Sequence, residues 1–288
     1  MALRLPRVTE DANHPTSTAP SEGPALRWVP KEHGASFMSV HALLLGIIAG
    51  FTSGGTDVVG LLLALALGTL VLPISGAVSV WSHPKLAAKA RRRTSGLAVV
   101  FAAIGGLTLL HGPASELLMI GAAAAALAGG YSLARTRKGP RSTPAQLAAI
   151  ACISLLAPLA WLLIAGPTDG WQLSAPVAFL SFGASVPYVR ERVRRRRFKT
   201  MTLPERLRGG ALPLAWQAGA LLAALATTAT GLTSALVPVA FLPGTAKTAV
   251  AIARPESRPP LKRIGYLETV LSTIFAVLAG IGLGLGPP

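Results

Sequence analysis

The sequence predicts an all-α fold, a polytopic transmembrane helical bundle of about nine spans. Two observations support this prediction: 51% of the 288 residues are hydrophobic and only 13% are charged, and long apolar runs alternate with short polar segments. The formal net charge is +16. A soluble nucleic-acid binder with that excess would be hydrophilic overall, so we expect no nucleic-acid partner and instead expect the lipid bilayer as the partner.

The basic segment at residues 190–199 fixes the predicted orientation, because Lys and Arg that flank membrane spans stay on the cytoplasmic side. Each of the 27 Lys and Arg residues except Lys247 falls in a predicted cytoplasmic segment. We therefore predict a cytoplasmic N-terminus and an outer C-terminus. The predicted spans are 34–51, 58–80, 95–110, 116–131, 145–164, 171–189, 211–228, 232–252 and 264–285.

Residues 1–27 are rich in Pro, Ser, Thr and Ala and predict a disordered cytoplasmic arm, and residues 28–288 predict a single transmembrane domain. The first apolar run is short for the roughly 20 residues that a span needs, so the helix must begin near His33. Pro73 predicts a kink in the second span. The spacings Gly46 to Gly50 and Gly280 to Gly284 predict close helix packing.

Polar residues outside the basic segments give little sign of a metal or cofactor site. Cys152 is the single cysteine, which excludes an intrachain disulfide. The outer acids Asp57, Glu116 and Asp169 are too scattered to predict a metal site. The sequence leaves the cofactor unknown and does not decide whether the protein is an enzyme.

The segment Pro30-Lys31-Glu32-His33-Gly34-Ala35 resembles the YwiC-like family of bacterial integral membrane proteins, whose opening span begins with Glu-His-Gly-Ala-Trp. Ser36 stands where that Trp would be. The stretches at 188–192 and 260–268 also resemble the family, so the similarity extends over most of the chain from Trp28 onward. The resemblance implies a multi-pass protein of the bacterial inner (plasma) membrane, with no established activity to carry over.

The predicted span count and inner-loop layout are also similar to those of the UbiA-like prenyltransferases. Such enzymes bind a prenyl diphosphate through magnesium and spaced aspartates. Here the loop after the second span contains no Asp or Glu, and the loop after the sixth span offers only Glu191 and Glu205. The resemblance therefore implies the architecture of these enzymes without their metal motifs.

Several ionisable residues near or within the predicted spans are candidates for function. Glu32 and His33 could act at the inner boundary, with Glu32 paired to Arg190, or could be an ordinary helix-start charge and an interfacial side chain. His41 could be functional or could hydrogen-bond a neighbouring helix. Glu268 could pair with Lys262 or Arg263. The candidate functional cluster is Glu32, His33, His41, Arg190, Glu191, Lys262 and Glu268.

Three functions remain open from the sequence. The protein could bind an isoprenoid or lipid phosphate near the cytoplasmic face, with the basic inner residues holding phosphate. It could be a small-molecule or ion transporter in which His41, Glu268 and Lys247 line a path. Taken by itself, however, the position of Lys247 near a helix end predicts a side chain that snorkels to the membrane surface. It could also be a noncatalytic scaffold whose basic segments contact anionic lipid.

Overall fold

The computed structural model is helical throughout the part of the chain that it describes, and it contains no strand there. The described residues are 33–78, 87–139, 142–195, 201–254 and 261–286. The predicted arm at 1–27 and Glu32 lie outside them. Within these ranges the α-helices are α1 His33–Thr52, α2 Val58–Val78, α3 Ala87–His111, α4 Ala114–Lys138, α5 Thr143–Ser154, α6 Leu156–Ala165, α7 Ser174–Gly183, α8 Ser185–Arg195, α9 Leu203–Ala229, α10 Leu236–Ala253 and α11 Leu261–Gly284.

Six helical segments in the described ranges are long and apolar enough to cross a membrane. One of them is made of α5 and α6 together, and α1 and α2 carry shorter apolar stretches, Phe37–Thr52 and Val58–Val71. The predicted all-α membrane fold is therefore confirmed at this level. The six membrane-spanning segments are Arg91–His111, Ala114–Lys138, Thr143–Ala165, Leu203–Ala229, Leu236–Ala253 and Lys262–Gly284.

Two apolar runs are each interrupted three residues before a proline. The first interruption is at Leu155, between α5 and α6, and the second is at Ala184, between α7 and α8. Proline has no N–H, so Pro158 and Pro187 cannot donate to the carbonyl groups four residues earlier. The predicted sixth span thus consists of two short helices. By contrast, α2 continues as a helix through Pro73.

The α1 helix lies at the centre of the bundle, between α6 and α11. A Cβ atom at Gly46 would overlap the backbone of Ala157 in α6, and one at Gly284 would approach the carbonyl oxygen of Ala49. The close packing predicted at Gly46 and Gly284 is therefore confirmed. On α4, the space around Gly121 is open. Exposed apolar side chains on α3 and α4, such as Val99 and Leu118, form a surface suited to contact with lipid.

Contacts between helix ends divide the connecting segments into two groups, one at each end of the bundle. At one end, His111 pairs with Asp57 at 2.6 Å and the Ser234 hydroxyl donates to Gly282 O at 2.8 Å. At the other end, Arg190 donates to Thr143. We call this second end the basic end, and it includes Arg190, Arg192, Arg195, Arg206, Arg254 and Lys262.

The α9 helix begins at Leu203, eight residues before the predicted start of the seventh span at 211. The Glu205 carboxylate accepts the backbone N–H of Thr202 at 2.8 Å and its hydroxyl at 3.0 Å. This arrangement fixes the first turn of the helix, and Pro204 fits there because its missing N–H is not needed. The basic residues Arg206 and Arg208 therefore lie on a helix and not in a loop.

Candidate functional site

A small polar cavity lies inside the bundle between α7, α8, α9, α10 and α11. Its volume is about 30 Å³, which is room for one or two water molecules. Apolar walls are formed by Ala240, Phe241, Leu271 and Phe275. The polar side chains that line it are Ser181, Ser185, Gln217, Lys247, Glu268 and Ser272.

The centre of this site is an ion pair between two helices. The Lys247 Nζ on α10 lies 2.5 Å from the Glu268 Oε1 on α11, and the two side chains are only 10% and 22% exposed. The Nζ also lies 4.2 Å from the centroid of the Tyr188 ring on α8. A cation over an aromatic face is attracted by the ring quadrupole, so Lys247 has two favourable partners.

The ion pair lies at an intermediate depth. At a rise of 1.5 Å per residue, Glu268 is about 10 Å from the start of α11, and Gln217 is about 21 Å from the start of α9. Both helices start at the basic end, so the cavity extends from the ion pair toward the middle of the bundle. Beyond it, Phe275 packs edge-to-face against Phe182 and Phe241, with ring centroids 6.0 Å and 5.0 Å apart. This aromatic cluster forms part of the cavity wall.

The Gln217 amide faces the cavity without a hydrogen-bond partner among the described residues, although the residue is only 6% exposed. Gly244 on α10 lies opposite, and a Cβ there would lie 3.3 Å from Gln217 Nε2. The hydroxyl groups of Ser181 and Ser272 likewise have no partner within the described ranges. Buried polar groups are normally paired, so unpaired ones around a cavity point to water or a ligand.

The interruption at Ala184 lies at the edge of this cavity. Ser181 precedes it on α7 and Ser185 follows it on α8, and both line the space. Because Pro187 has no N–H, the Gly183 carbonyl loses its usual helical partner. Interrupted helices of this kind supply backbone groups to binding sites in membrane transporters.

His41 takes no part in the cavity and instead joins α1 to α11. Its side chain is buried; the Nδ1 lies 2.5 Å from Phe37 O and the Nε2 lies 2.9 Å from Thr273 Oγ1. With a hydrogen on Nδ1, the Phe37 carbonyl accepts that hydrogen, and Nε2 shares a hydrogen bond with the Thr273 hydroxyl, which also lies 3.0 Å from Thr269 O. This geometry corresponds to the interhelical hydrogen bond that the sequence left open as an alternative.

Arginines at the basic end bind the last carbonyl groups of α10. Arg195 Nη1 donates to Ala251 O at 3.1 Å, and Arg206 Nη1 donates to Ala253 O at 2.6 Å. Arg192 Nη1 also approaches Ala251 O, at 3.4 Å. Helix C-termini expose unpaired carbonyls and carry partial negative charge, so these contacts cap α10.

Glu191 pairs with two arginines on α8, and one of them, Arg195, also caps α10. Its carboxylate accepts from Arg194 Nε and from Arg195 Nε, each at 2.8 Å. Burial by itself opposes ionisation of the Glu191 carboxyl, but the hydrogen bonds and charges of the two arginines outweigh it and lower its pKa. The pair of Glu191 with Arg195 is largely buried, with side chains 8% and 10% exposed.

The residues of the predicted cluster therefore lie in separate places. Glu268 lines the cavity and pairs with Lys247, so its predicted pairing with Lys262 or Arg263 is wrong; Lys262 is exposed. Arg190 and Glu191 lie at the basic end. Glu32 is outside the described residues, and although His33 begins α1, its side chain is outside them too.

Sequence reasoning missed the serine hydroxyls and the part played by Tyr188. The sequence analysis assigned no role to Tyr188, but its ring covers Lys247. One spacing carried a signal: Glu268 and Ser272 are four residues apart, which places them on one face of α11. Ser181 and Ser185 are also four residues apart, but they lie on either side of the interruption at Ala184. Among the described residues, no group of three His, Cys, Asp or Glu side chains could hold a metal ion.

The apolar helices and the buried polar site define a multi-pass helical membrane protein. Residues 29–161 match the family model described as YwiC-like protein, so over that segment the chain is similar to the YwiC-like family. This confirms the resemblance, which was predicted to extend further. No curated protein and no solved structure matches the chain. The matched segment ends within α6, so it does not include the helices that line the cavity.

Proposed function

We propose that this protein binds a small polar solute in the cavity beside Lys247 and Glu268 and carries it across the membrane. The observation that supports this most directly is the unpartnered amide of Gln217, buried beside an ion pair inside the bundle. An unpaired buried amide costs stability, so retaining one is expected only where a ligand or water completes it. Intramembrane ionisable groups are expensive and typically mark solute or ion pathways.

The proposed topology has nine spans in a single domain over 28–288, with the N-terminus cytoplasmic and the C-terminus outside, in a bacterial inner membrane. Its support is the division of the helix ends into two groups. The contact of His111 with Asp57 and that of Ser234 with Gly282 join segments predicted to be outside. In this arrangement α7 and α8 together make the sixth span, and the basic end faces the cytoplasm.

The aromatic cluster around Phe275 supports an inward-facing state. It forms part of the cavity wall, whereas the Lys247–Glu268 pair lies nearer the basic end. Alternating access would then require movement around the interruption at Ala184. The proposed path runs from the basic end past the ion pair to Gln217.

Binding of an isoprenoid or lipid phosphate at the cytoplasmic face is the second candidate. Exposed cations at the basic end favour it, namely Arg208, Arg254, Lys262 and Arg263. The more buried Arg195 and Arg206 instead donate to backbone carbonyls of α10, and Arg195 also donates to the backbone carbonyl of Arg206. Native mass spectrometry after gentle extraction tests this candidate: a stoichiometric lipid phosphate lost on changing both Lys262 and Arg263 to Gln would support it. The scaffold alternative predicts neither a retained phosphate nor an accessible cavity.

Cysteine accessibility tests the cavity proposal, because Cys152→Ala leaves a background without thiols. Ser272→Cys and Ser181→Cys place a thiol in the cavity, and Leu222→Cys places one on the exposed face of α9. We expect a small hydrophilic methanethiosulfonate to label both cavity thiols from the cytoplasmic side in membrane vesicles. The thiol at 222 should not react, because a thiolate does not form in hydrocarbon.

Two outcomes would contradict the proposal. If the cavity thiols react no faster than the thiol at 222, the cavity is not reached by water. If they react only from the outside, the proposed orientation or the inward-facing state is wrong. A solute that slows labelling at 272 and leaves labelling of an exposed Lys262→Cys variant unchanged would identify a ligand directly.

A further inference from the structure

The composition of the cavity points to a ligand class, and this inference rests on the proposed function. We infer that the cavity takes a small organic anion, a carboxylate, which binds Lys247 while Glu268 takes up a proton. The anion replaces the Glu268 carboxylate as the partner of Lys247.

Around the cavity, hydrogen-bond donors outnumber negatively charged hydrogen-bond acceptors. The Lys247 ammonium, the Gln217 amide and the hydroxyls of Ser181 and Ser272 can all donate, and Glu268 is the only carboxylate in the lining. The free donors of Gln217 and the two serines have no other partner among the described residues. Such a set favours an anion over a cation or an apolar molecule.

Tyr188 allows Lys247 to remain charged and in place when Glu268 leaves it. The ring centroid lies 4.2 Å from Nζ, so the ammonium keeps a favourable contact that does not involve the carboxylate. Without it, opening the ion pair would leave an isolated buried cation. With it, Lys247 can exchange one anionic partner for another.

Charge balance requires the proton. A buried charge without a partner is strongly disfavoured, so an anion on Lys247 leaves no room for an ionised Glu268 beside it. One proton from water therefore binds the Glu268 carboxylate, the ion pair breaks, and the Lys247 ammonium pairs with the incoming anion. The site gains one negative and one positive charge, and its net charge is unchanged.

Few other charged groups face Glu268. Lys247 faces it from α10 and Tyr188 lies beside them on α8, while α7 and α9 contribute only neutral serines and Gln217. Arg192 and Arg195 follow Tyr188 on α8, but they donate to Ala251. On α11 itself, the nearest cations by sequence are the exposed Lys262 and Arg263. Glu268 is thus the group in the described cavity that can take up the proton.

Isothermal titration calorimetry of the full chain in lipid nanodiscs tests this inference, with sodium formate as the probe because the cavity is small. Formamide is the neutral match to formate, and glycine is a zwitterion of similar size. Titration in two buffers with different ionisation enthalpies measures proton uptake. We expect a carboxylate to bind with uptake of about one proton, and its affinity to rise as pH falls.

Three variants separate the roles of the residues. Glu268→Gln should bind the carboxylate without proton uptake and without pH dependence, because Gln resembles the protonated acid. Lys247→Gln should lose binding. The double variant Lys247→Gln with Glu268→Gln should lose it too, although it no longer contains the unpaired Glu268 carboxylate of the single variant. Lys262→Gln, an exposed lysine at the start of α11, should bind as the wild type does.

The alternatives give distinct results. Glycine or formamide binding that needs Gln217 but takes up no proton would overturn the anion class and leave the proposed function standing. If no carboxylate binding depends on Lys247 but the thiol at 272 is labelled, the anion class is likewise overturned and the proposed function stands. Lack of both binding and labelling would overturn the inference and the proposed function together.

Discussion

The Lys247 ammonium nitrogen lies 2.5 Å from a Glu268 carboxylate oxygen inside the helical bundle, joining α10 to α11. Twenty-one residues separate the two in the chain. Each is the main charged partner of the other, so the stability of the pair and its chemistry can be measured by changing one residue or both.

Lys247→Met is expected to lower the free energy of unfolding by about 3 kcal/mol, because it leaves the largely buried Glu268 carboxylate without its cation. The double variant with Glu268→Met should recover more than half of that loss, since it removes both charges. Reversible unfolding in mixed detergent micelles measures both. Lys262→Met is the matched control and should change stability little. Equal losses for the Lys247 and Lys262 variants would show that the pair is not buried in the membrane.

Gly46→Val is expected to destabilise the protein by about 2 kcal/mol or more, because its Cβ would overlap the backbone of Ala157 and push α1 away from α6. Gly121→Val makes the same chemical change where nothing lies within 4 Å. It should be nearly neutral. Unfolding midpoints in detergent compare the two directly. A neutral Gly46 variant would mean that α1 and α6 are not in close contact.

Glu191→Gln tests the arginine contacts at the end of α10. The pKa of Glu191 is lowered in the folded protein, so its ionisation stabilises the fold above the ordinary carboxyl range and ceases to do so as pH falls through the lowered value. We expect the wild type to be more stable than the variant at neutral pH. The difference should shrink as pH falls below the ordinary carboxyl range and vanish below the lowered pKa of Glu191. Unfolding midpoints measured against pH provide the test, with the exposed Asp169→Asn as control; a difference that persists in strong acid would contradict it.

The His41 contact with Thr273 is expected to couple α1 and α11 weakly. A double-mutant cycle with His41→Leu and Thr273→Val should give a coupling of about 0.6 kcal/mol, since interhelical hydrogen bonds in membranes are modest. The cycle is measured by unfolding in detergent. Strict additivity of the two changes would show that the hydrogen bond does not form. Much larger coupling would favour a functional part for His41.

Hydropathy alone predicted most helices because a membrane segment must satisfy its backbone hydrogen bonds internally, which leaves helix as the ordinary solution for a long apolar run. The positions of the helix ends were harder to predict. The α9 helix starts at Leu203 because Glu205 and Thr202 form a local cap, which a hydropathy pattern cannot detect. Similarly, Ala184 interrupts α7 and α8 where a continuous apolar run predicted one span.

The site was less predictable because it depends on which helix faces meet. Lys247 by sequence is a lysine near a helix end, for which a snorkelling side chain is the ordinary expectation. Only the packing of α10 against α11 brings it to Glu268 and not toward the interface. The sequence does not distinguish a Gln217 that bonds a neighbouring helix from one that lines a cavity, and the distinction requires the position of Gly244 opposite it.

The sign of the stability change in Gln217→Leu tests the central claim most directly. If the buried amide is kept for a ligand, replacing it with an apolar side chain should raise the free energy of unfolding by about 1 kcal/mol and abolish labelling of a thiol at 272. Thr248→Val, which removes a hydroxyl already bonded to Gly244 O, should bring no such gain. A destabilised Gln217→Leu variant with unchanged labelling would show that the amide serves the fold, and would contradict a binding site in this cavity.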